Sequence, residues 1–444
     1  MADYRTFGPN EGGLRVRSRL KVQASWTILR RFGGTLGMMT RWCLVACTLA
    51  CAAALHAGEL TYTFYDLGVL SEGGISTYAE DINDAGVVTG GSYYDVLSSN
   101  LAYRWVNGVM TVIPVWRTSA CLGGKGISDN GSIACNGSPG PVTVWHDGDV
   151  VDMDVPDGCE ENEKPSHIND NATFAVGSCC PDDGTHYDRP TVYWAAHGRA
   201  VLIDFLPDAP PEAQGWAEGV NNDGVVVGRM GFGADSVKAF IWEDGVLTEI
   251  PNAFGGDFTN AYAINNHGLV VGNASGAMSY DMHTGVMLNL GPGTALAVND
   301  RGVAVGLDVI DLSALHGMVY IEGMTIDLHE FFPDEWESSY ARGINNYVWI
   351  VGCGDKIEGV TRAWLLIPRY EKGDFDGDGD VDLQDSAHFQ RCFAAQPYTD
   401  GTLHVGCSVF DFDDDVDLDL ADYAAFQSAF TGPTAPNLNP NGPG

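Results

Sequence analysis

The chain is expected to fold as a mainly β protein, a seven-bladed β-propeller followed by a small helical domain. Three observations predict this. A nine- or ten-residue phrase recurs seven times, most copies starting 41 to 52 residues apart with one interval of 34. Each phrase carries turn residues and then an alternating apolar run, with an aromatic strand and a second turn beyond it in most copies. After the last copy the pattern stops, and two twelve-residue loops crowded with aspartate take over.

The phrase reads Ile82-Asn-Asp-Ala-Gly-Val-Val-Thr-Gly90, Ile127-Ser-Asp-Asn-Gly-Ser-Ile-Ala-Cys135 and Ile168-Asn-Asp-Asn-Ala-Thr-Phe-Ala-Val-Gly177. Val220-Asn-Asn-Asp-Gly-Val-Val-Val-Gly228, Ile264-Asn-Asn-His-Gly-Leu-Val-Val-Gly272, Val298-Asn-Asp-Arg-Gly-Val-Ala-Val-Gly306 and Ile344-Asn-Asn-Tyr-Val-Trp-Ile-Val-Gly352 follow. Asn, Asp and Gly tolerate the positive φ that tight turns need, and Val-Val-x-Gly alternates as a strand should. A third strand ends in an aromatic, as in Tyr103-Arg-Trp105, Val144-Trp145, Tyr193-Trp194 and Phe240-Ile-Trp242. Turns such as Asn107-Gly108 and Asp244-Gly245 lead to a fourth short strand, for example Val246–Ile250. Four antiparallel strands at a period in the forties are the signature of propeller blades.

The last copy runs out after Trp364-Leu-Leu-Ile-Pro368 without a fourth strand, whereas Leu60–Gly68 is an extra strand before the first copy. If that strand completes the final blade, the ring closes with no open edge. The alternative is an open β-solenoid array. The units resemble the HAF-type repeats of secreted bacterial proteins, in which Gly-Ile-Asn-Asp-x-Gly-x-Val-Val-Gly leads to a His-Ala-Phe-x-Trp strand. Lys238-Ala-Phe-Ile-Trp242 matches that strand most nearly. This resemblance implies fold more than activity.

The first acidic loop runs from Asp374 to Asp385. Asp374, Asp376, Asp378, Asp380, Asp382 and Asp385 fall at positions one, three, five, seven, nine and twelve, with Gly379 at six. The second loop repeats the phase with Asp411, Asp413, Asp415, Asp417, Asp419 and Asp422. Carboxylates so close repel one another, and a hard dication such as Ca²⁺ takes oxygen ligands at this spacing. Two Ca²⁺ ions are therefore expected. Each loop leads into a segment with two Phe four apart on one helical face, Phe389 and Phe393, then Phe426 and Phe430.

This pair of loop–helix units resembles the type I dockerin domain over about Gly373 to Gly432. The resemblance implies a fold built around two Ca²⁺ ions and attachment to a cohesin-like protein or cell-surface component. Two departures stand out. Val416 occupies the place of the turn glycine in the second loop, which is expected to strain that turn and weaken its site. Positions ten and eleven, which in the family help to choose the cohesin, are Leu383-Gln384 and Leu420-Ala421 and lack a hydroxyl pair.

Composition narrows the partners. The 444-residue chain carries a formal net charge of −36, which repels nucleic acid and anionic lipid. Residues 41–57 read as a secretory signal: a basic flank, a short apolar core and a cleavage point at Ala57-Gly58. Residues 1–57 would then be a signal peptide with an extended n-region, 58–368 the propeller, 373–432 the calcium domain and 433–444 a polar, proline-rich disordered tail. Leu44–Cys47 and Leu49–Cys51 leave lipoprotein processing open as a second reading of the leader. No other segment is long enough to span a bilayer.

Eight cysteines follow the signal, an even count that favours disulfides in an exported protein. Cys392 with Cys407, between the two loops, is the first expected pair, and Cys121 with Cys135 the second.

Nothing in the sequence marks catalysis. No His-Glu-x-x-His, Gly-x-Ser-x-Gly or phosphate-binding glycine loop occurs. Asp95, Asp154, Asp208, Asp257 and Asp308 lie in connecting segments, where any two could form a glycosidase pair, but the ordinary role of such residues is solvation. His167, His197 and His283 read as turn or strand-end residues. Trp105, Trp145, Trp194 and Trp242 recur at one phase and are expected to fill the core between blades rather than stack on sugars. The expected function is a secreted, non-catalytic binding or assembly protein. The alternative is an extracellular polysaccharide-degrading glycoside hydrolase with an appended dockerin.

Overall fold

In the computed structural model, residues 61–431 are described, apart from the segments 71–73, 95–98, 114–120, 138–141, 160–163, 180–187, 195–198, 234–235, 311–313, 322, 395–402 and 414. The expected signal segment and tail lie outside the described residues, as do Asp95 and His197. Twenty-eight strands among them, from β1 (Tyr62–Gly68) to β28 (Val360–Pro368), make seven four-stranded antiparallel sheets. The first repeat-derived strand of each sheet faces its counterparts in the two neighbouring sheets. These are β2 (Gly74–Ile82), β6 (Cys121–Ile127), β10 (Lys164–Ile168), β14 (Gln214–Val220), β18 (Asn260–Ile264), β22 (Thr294–Val298) and β26 (Tyr340–Ile344). They form a closed inner ring, so the chain is a seven-bladed propeller rather than an open array.

The last blade runs β26, β27 (Ile350–Lys356), β28, β1. The N-terminal strand therefore supplies the fourth strand of the seventh blade, with Phe64 opposite Leu366 and Asp66 opposite Trp364. β28 is thereby covered and the blade has the same four strands as the other six.

The core lies between blades. Trp364, Ile350 and Leu366 of the seventh blade pack with Val303, Val305 and Val319 of the sixth. Trp105, Val88 and Tyr103 pack with Val351 and Leu365 across the first–seventh seam, and Trp145 packs with Val87 and Ile113 across the first–second seam. Trp242 is partly buried against a similar cluster, while the Trp194 side chain lies outside the described residues. The recurring tryptophans are thus inter-blade filler.

The Asn that opens the repeat's turn fastens one blade to the next. Asn83, Asn169, Asn221, Asn265, Asn299 and Asn345 are buried. In each, Oδ1 accepts amides of its own turn, as Asn221 does from Asp223 and Val225. Nδ2 of Asn221, Asn265 and Asn299 donates to the carbonyl of the matching residue in the following blade. The next residue adds a second link: the Asn222 amide donates to Asn266 Oδ1, and the Asn266 amide to Asp300 Oδ1. Ser128, in the Asn place of the second blade, is too short to bridge, and there the Asp129 amide donates to the Asp170 carbonyl instead.

Past Pro368 the chain forms a small unit with two helices, α1 (Leu383–Ala394) and α2 (Leu420–Ala429). Phe389 and Phe426 are buried and stack on each other at 5.0 Å. Phe393 and Phe430, expected on the same buried face, are each 40% exposed. Each lies at the end of its helix, against the Phe one turn before it, at 6.0 and 6.2 Å.

Cys392–Cys407 staples this unit as expected, and Cys159–Cys179 ties the segment before β10 to the end of β11 (Phe174–Cys179). Cys135 is disulfide-bonded; the side chain of Cys121, its expected partner, lies outside the described residues. Cys353 departs from the expectation of full pairing and is a free, buried thiol. No helix among the described residues is long and apolar enough to cross a membrane.

Candidate functional sites in the channel and the acidic loops

Each inner strand carries a β-bulge at the same place, one residue being skipped in the ladder. The skipped residues are Glu80, Lys125, Ser166, Glu218, Tyr262, Leu296 and Arg342. A bulge re-aims a side chain, and all seven line one cavity of about 300 Å³ at the centre of the ring. The glycine that ends the repeat makes this possible. A Cβ on Gly352 would lie 1.8 Å from the Tyr340 carbonyl oxygen, and one on Gly90 2.0 Å from that of Tyr78. No side chain fits behind the bulge in those blades.

The two glutamates of the bulge ring are paired, in a wall that carries more carboxylates than cations. Glu80 is bracketed by Lys125 Nζ at 2.6 Å and Arg342 Nη1 at 3.5 Å. Glu218 holds Arg229 Nε at 2.9 Å, and that guanidinium lies over the rings of Trp216 and Tyr262. Beside the bulge residue most blades carry Gly or Ala, but the first and third carry Asp81 and His167, which approach to 3.9 Å. Asp81 accepts from the amides of Ile82 and Ile127, and burial pushes its carboxyl up to about 7. Burial holds the His167 imidazole down at about 4. At the mouth, burial raises Asp84 and Asp170 and pushes Asp129 up to about 6, with the neighbouring carboxylates adding to it. At neutral pH the wall offers fixed donors and acceptors, an uncharged imidazole and an aromatic face.

Sequence reasoning missed this site. Asp154, Asp208, Asp257 and Asp308 do not line the cavity; Asp208 pairs on the surface with Lys238 at 2.6 Å. His167, read as a strand-end residue, belongs to the channel wall. The available signal was the position two before the repeat's first Ile or Val, which changes chemistry from blade to blade.

In each of the two acidic loops several carboxylates cluster. Carboxylate oxygens of Asp374, Asp376 and Asp385 lie within 4.8 Å of one another, as do those of Asp380, Asp382 and Asp385. In the second loop Asp411, Asp413 and Asp422 converge, and so do Asp415, Asp417 and Asp422. Asp378 and Asp419 stand outside these groups; Asp378 Oδ1 accepts from the Asp380 amide, and Asp419 caps α2. The last Asp of each loop holds the loop start: Asp385 Oδ1 accepts from the Phe375 amide and Asp422 Oδ1 from that of Phe412, both at 2.6 Å. Asp374 accepts from Gly377 and Gly379, and Asp411 from Asp415 and Val416. Burial, with the adjacent carboxylates behind it, pushes Asp374 and Asp376 up to about 6. All-oxygen donor sets whose charges resist one another fit a hard cation, and these clusters could hold a metal ion. The second loop is the more exposed, and Val416 takes a φ of +68° in the place where Gly379 takes +91°.

No family model matches the chain, and no curated protein matches it. Solved structures similar to it include the β-propeller domain of the Trilobed protease from Pyrococcus furiosus (13% identity, 66% of this chain and 97% of that one, TM-score 0.44). Others are oligogalacturonate lyase from Vibrio parahaemolyticus (10%, 69% and 97%, 0.45) and a putative TolB from Agrobacterium tumefaciens (12%, 59% and 95%, 0.34).

Proposed function

We propose that this is a secreted, non-catalytic binding protein that recognises a small polar ligand, such as the end of a saccharide, in the propeller channel. The observation that carries the reading is the bulge ring. Seven blades repeat one scaffold, and a position that each blade turns into a common cavity varies in chemistry, through Glu80, Lys125, Ser166, Glu218, Tyr262, Leu296 and Arg342. A position serving only the fold would repeat with it. Glu80 and Glu218, each already held by a cation, are fixed as directional hydrogen-bond acceptors, while Tyr262 supplies a flat face for a sugar ring.

The C-terminal unit is in this reading a dockerin-like domain that binds two Ca²⁺ ions and attaches the propeller to a cohesin-like or cell-surface partner. Support comes from the matched hydrogen bonding of the two loops and from Leu383 and Leu420. These occupy the same position in each unit and are 77% and 75% exposed, so the two units present a symmetric apolar pair to a partner. The disulfides fit an oxidising compartment.

A glycan array probed with the chain from residue 58 onward tests the channel. Binding that is lost in Glu218→Gln and Tyr262→Ala supports the reading; binding unaffected by both, or hydrolysis of the bound glycan, sinks it. Capture of a surface partner in Ca²⁺ but not in chelator tests the attachment.

A further inference from the structure

The seventh repeat departs from the other six where its turn should be most regular. Tyr347 stands in the variable third place, Val348 in the place that is Gly or Ala elsewhere, and Trp349 in a place held by Val, Leu, Ser or Thr. Val348 is buried and takes a φ of +61°, a conformation that β-branched residues avoid. The strained turn carries a second set of contacts, and they converge on the first acidic loop.

Phe375, the second residue of that loop, lies between the two modules. It stacks on His388 at 4.0 Å and faces Tyr347 edge-on at 5.2 Å, with Trp349 at 6.0 Å. The Tyr347 hydroxyl meets His388 Nε2 at 2.9 Å, and the Tyr347 carbonyl accepts from the Tyr370 hydroxyl. Trp349 closes over Gly406, where a Cβ would lie 2.4 Å from its ring. From the sixth blade Arg301, also a third-place turn residue, donates through both Nη atoms to the carbonyls of Asp376 and Gly377. Asn107 of the first blade meets His404 at 3.2 Å. The small unit is thus seated across blades six, seven and one, the seam where the ring closes.

We propose that the turn of the seventh blade, with Arg301, is a dedicated receptor for the first acidic loop, so that docking and cation binding in that loop reinforce each other. This rests on the Ca²⁺ reading above. Arg301 and Phe375 fix the backbone of positions two to four, which includes the ligand position Asp376. A loop held in this way loses less freedom when the ion arrives, and by reciprocity the ion tightens docking. Among the described residues the receptor's hydrogen bonds and ring contacts go to the first loop and not to the second, so the coupling is confined to the first of the two sites.

The two sites are separable in the full chain by Asp411→Ala, which leaves the first loop, and Asp374→Ala, which leaves the second. Ca²⁺ affinity is read by calorimetry in each background, with and without Arg301→Gln and Tyr347→Ala. Arg301 is exposed, so Arg301→Gln leaves the ring intact even where Tyr347→Ala disturbs it. The expected result is a loss of about fivefold to tenfold in first-loop affinity, with second-loop affinity unchanged. First-loop affinity that stays within about twofold in Arg301→Gln and in the double variant overturns the coupling while the Ca²⁺ reading stands. Absence of Ca²⁺ binding in the unsubstituted chain sinks both.

Discussion

The side-chain amide of Asn345 donates to the backbone carbonyl of Asn83 at 3.1 Å, joining the last blade to the first across 262 residues of sequence. The Asn346 amide adds a bond to Asp84 Oδ1 at 2.8 Å. The ring therefore closes twice, near the axis through these turns and in blade seven through β1. Non-local contacts of this kind reward the chain only after the whole ring is in place, which makes closure a cooperative event.

Asn345→Ala is expected to destabilise the propeller by about 2–3 kcal/mol, because it removes the bridge and leaves buried turn amides without an acceptor. Asn345 Oδ1 serves the amides of Tyr347 and Trp349. Asn345→Ser should recover part of the loss, since Ser128 accepts its own turn amide from Ser132 at 3.0 Å. Urea unfolding measures both. A loss under about 0.5 kcal/mol for the alanine variant would remove the fastener role.

Deleting residues 58–67 should leave β28 as an open edge. Trp364, Leu365 and Leu366 are fully buried, and β1 is their strand partner. Such an edge pairs with other chains, so the truncated protein is expected to aggregate or to lose its cooperative melt. A truncated chain that stayed monomeric and melted as before would make the strand ornamental. Light scattering during a thermal ramp distinguishes the two.

How far the sequence reached follows from the range of each signal. Turn residues and alternation are local, so Asn-Asp-x-Gly and Val-Val-x-Gly located the blades, and the extra strand at Leu60–Gly68 offered one way to close the ring, which the pairing of β1 with β28 bears out. The phase of Trp105 and Trp145 placed them between blades. The channel site was invisible because a bulge is a relation between two strands. Nothing within Ala79-Glu80-Asp81 says that Glu80 drops out of the ladder, and its variation from blade to blade looks like noise until the ring is assembled. The departures at Tyr347-Val348-Trp349 likewise find their reason only in contacts with residues that follow it by about 25 to 60 positions.

Asp129→Asn should stabilise the propeller at high pH. Asn fills the matching place in other blades as Asn222, Asn266 and Asn346, and the side-chain carbonyl of the introduced amide would keep the acceptor role that Asp129 has for the Asp84 backbone N–H. Burial and neighbouring carboxylates hold the folded Asp129 at about 6, against 3.8 as its ordinary value. A raised carboxyl means that folding takes up a proton between those values, so the wild type is penalised above pH 6 and relieved as the pH falls toward 4. The advantage of the variant should be present at about pH 8 and fade by about pH 4. Asp129 as a residue is exposed at the rim and its carboxylate is only partly desolvated, so solvent screening keeps the effect to about 1 kcal/mol or less. Melting temperatures across that range test it, and a difference independent of pH would count against the assignment.

The two Ca²⁺ sites should differ in strength because of one turn residue. Gly379 reaches its φ of +91° freely, whereas Val416 is held at +68° against its β-branched side chain. Placing an L-residue there costs about 1–2 kcal/mol, and more for a branched one. If loading the second loop requires that turn, the penalty weakens its site by about tenfold or more. Calorimetric titration of Asp374→Ala, which retains the second loop, should therefore give the lower affinity, and Asp411→Ala the higher. Val416→Gly should narrow the gap, and Gly379→Val should weaken the first loop in the same measure. Docking on the ring also favours the first loop, so Val416→Gly is expected to close the gap only in part in the full chain, and further when Arg301→Gln is added. Equal affinities in the unsubstituted turns would show that neither the backbone nor the receptor governs binding.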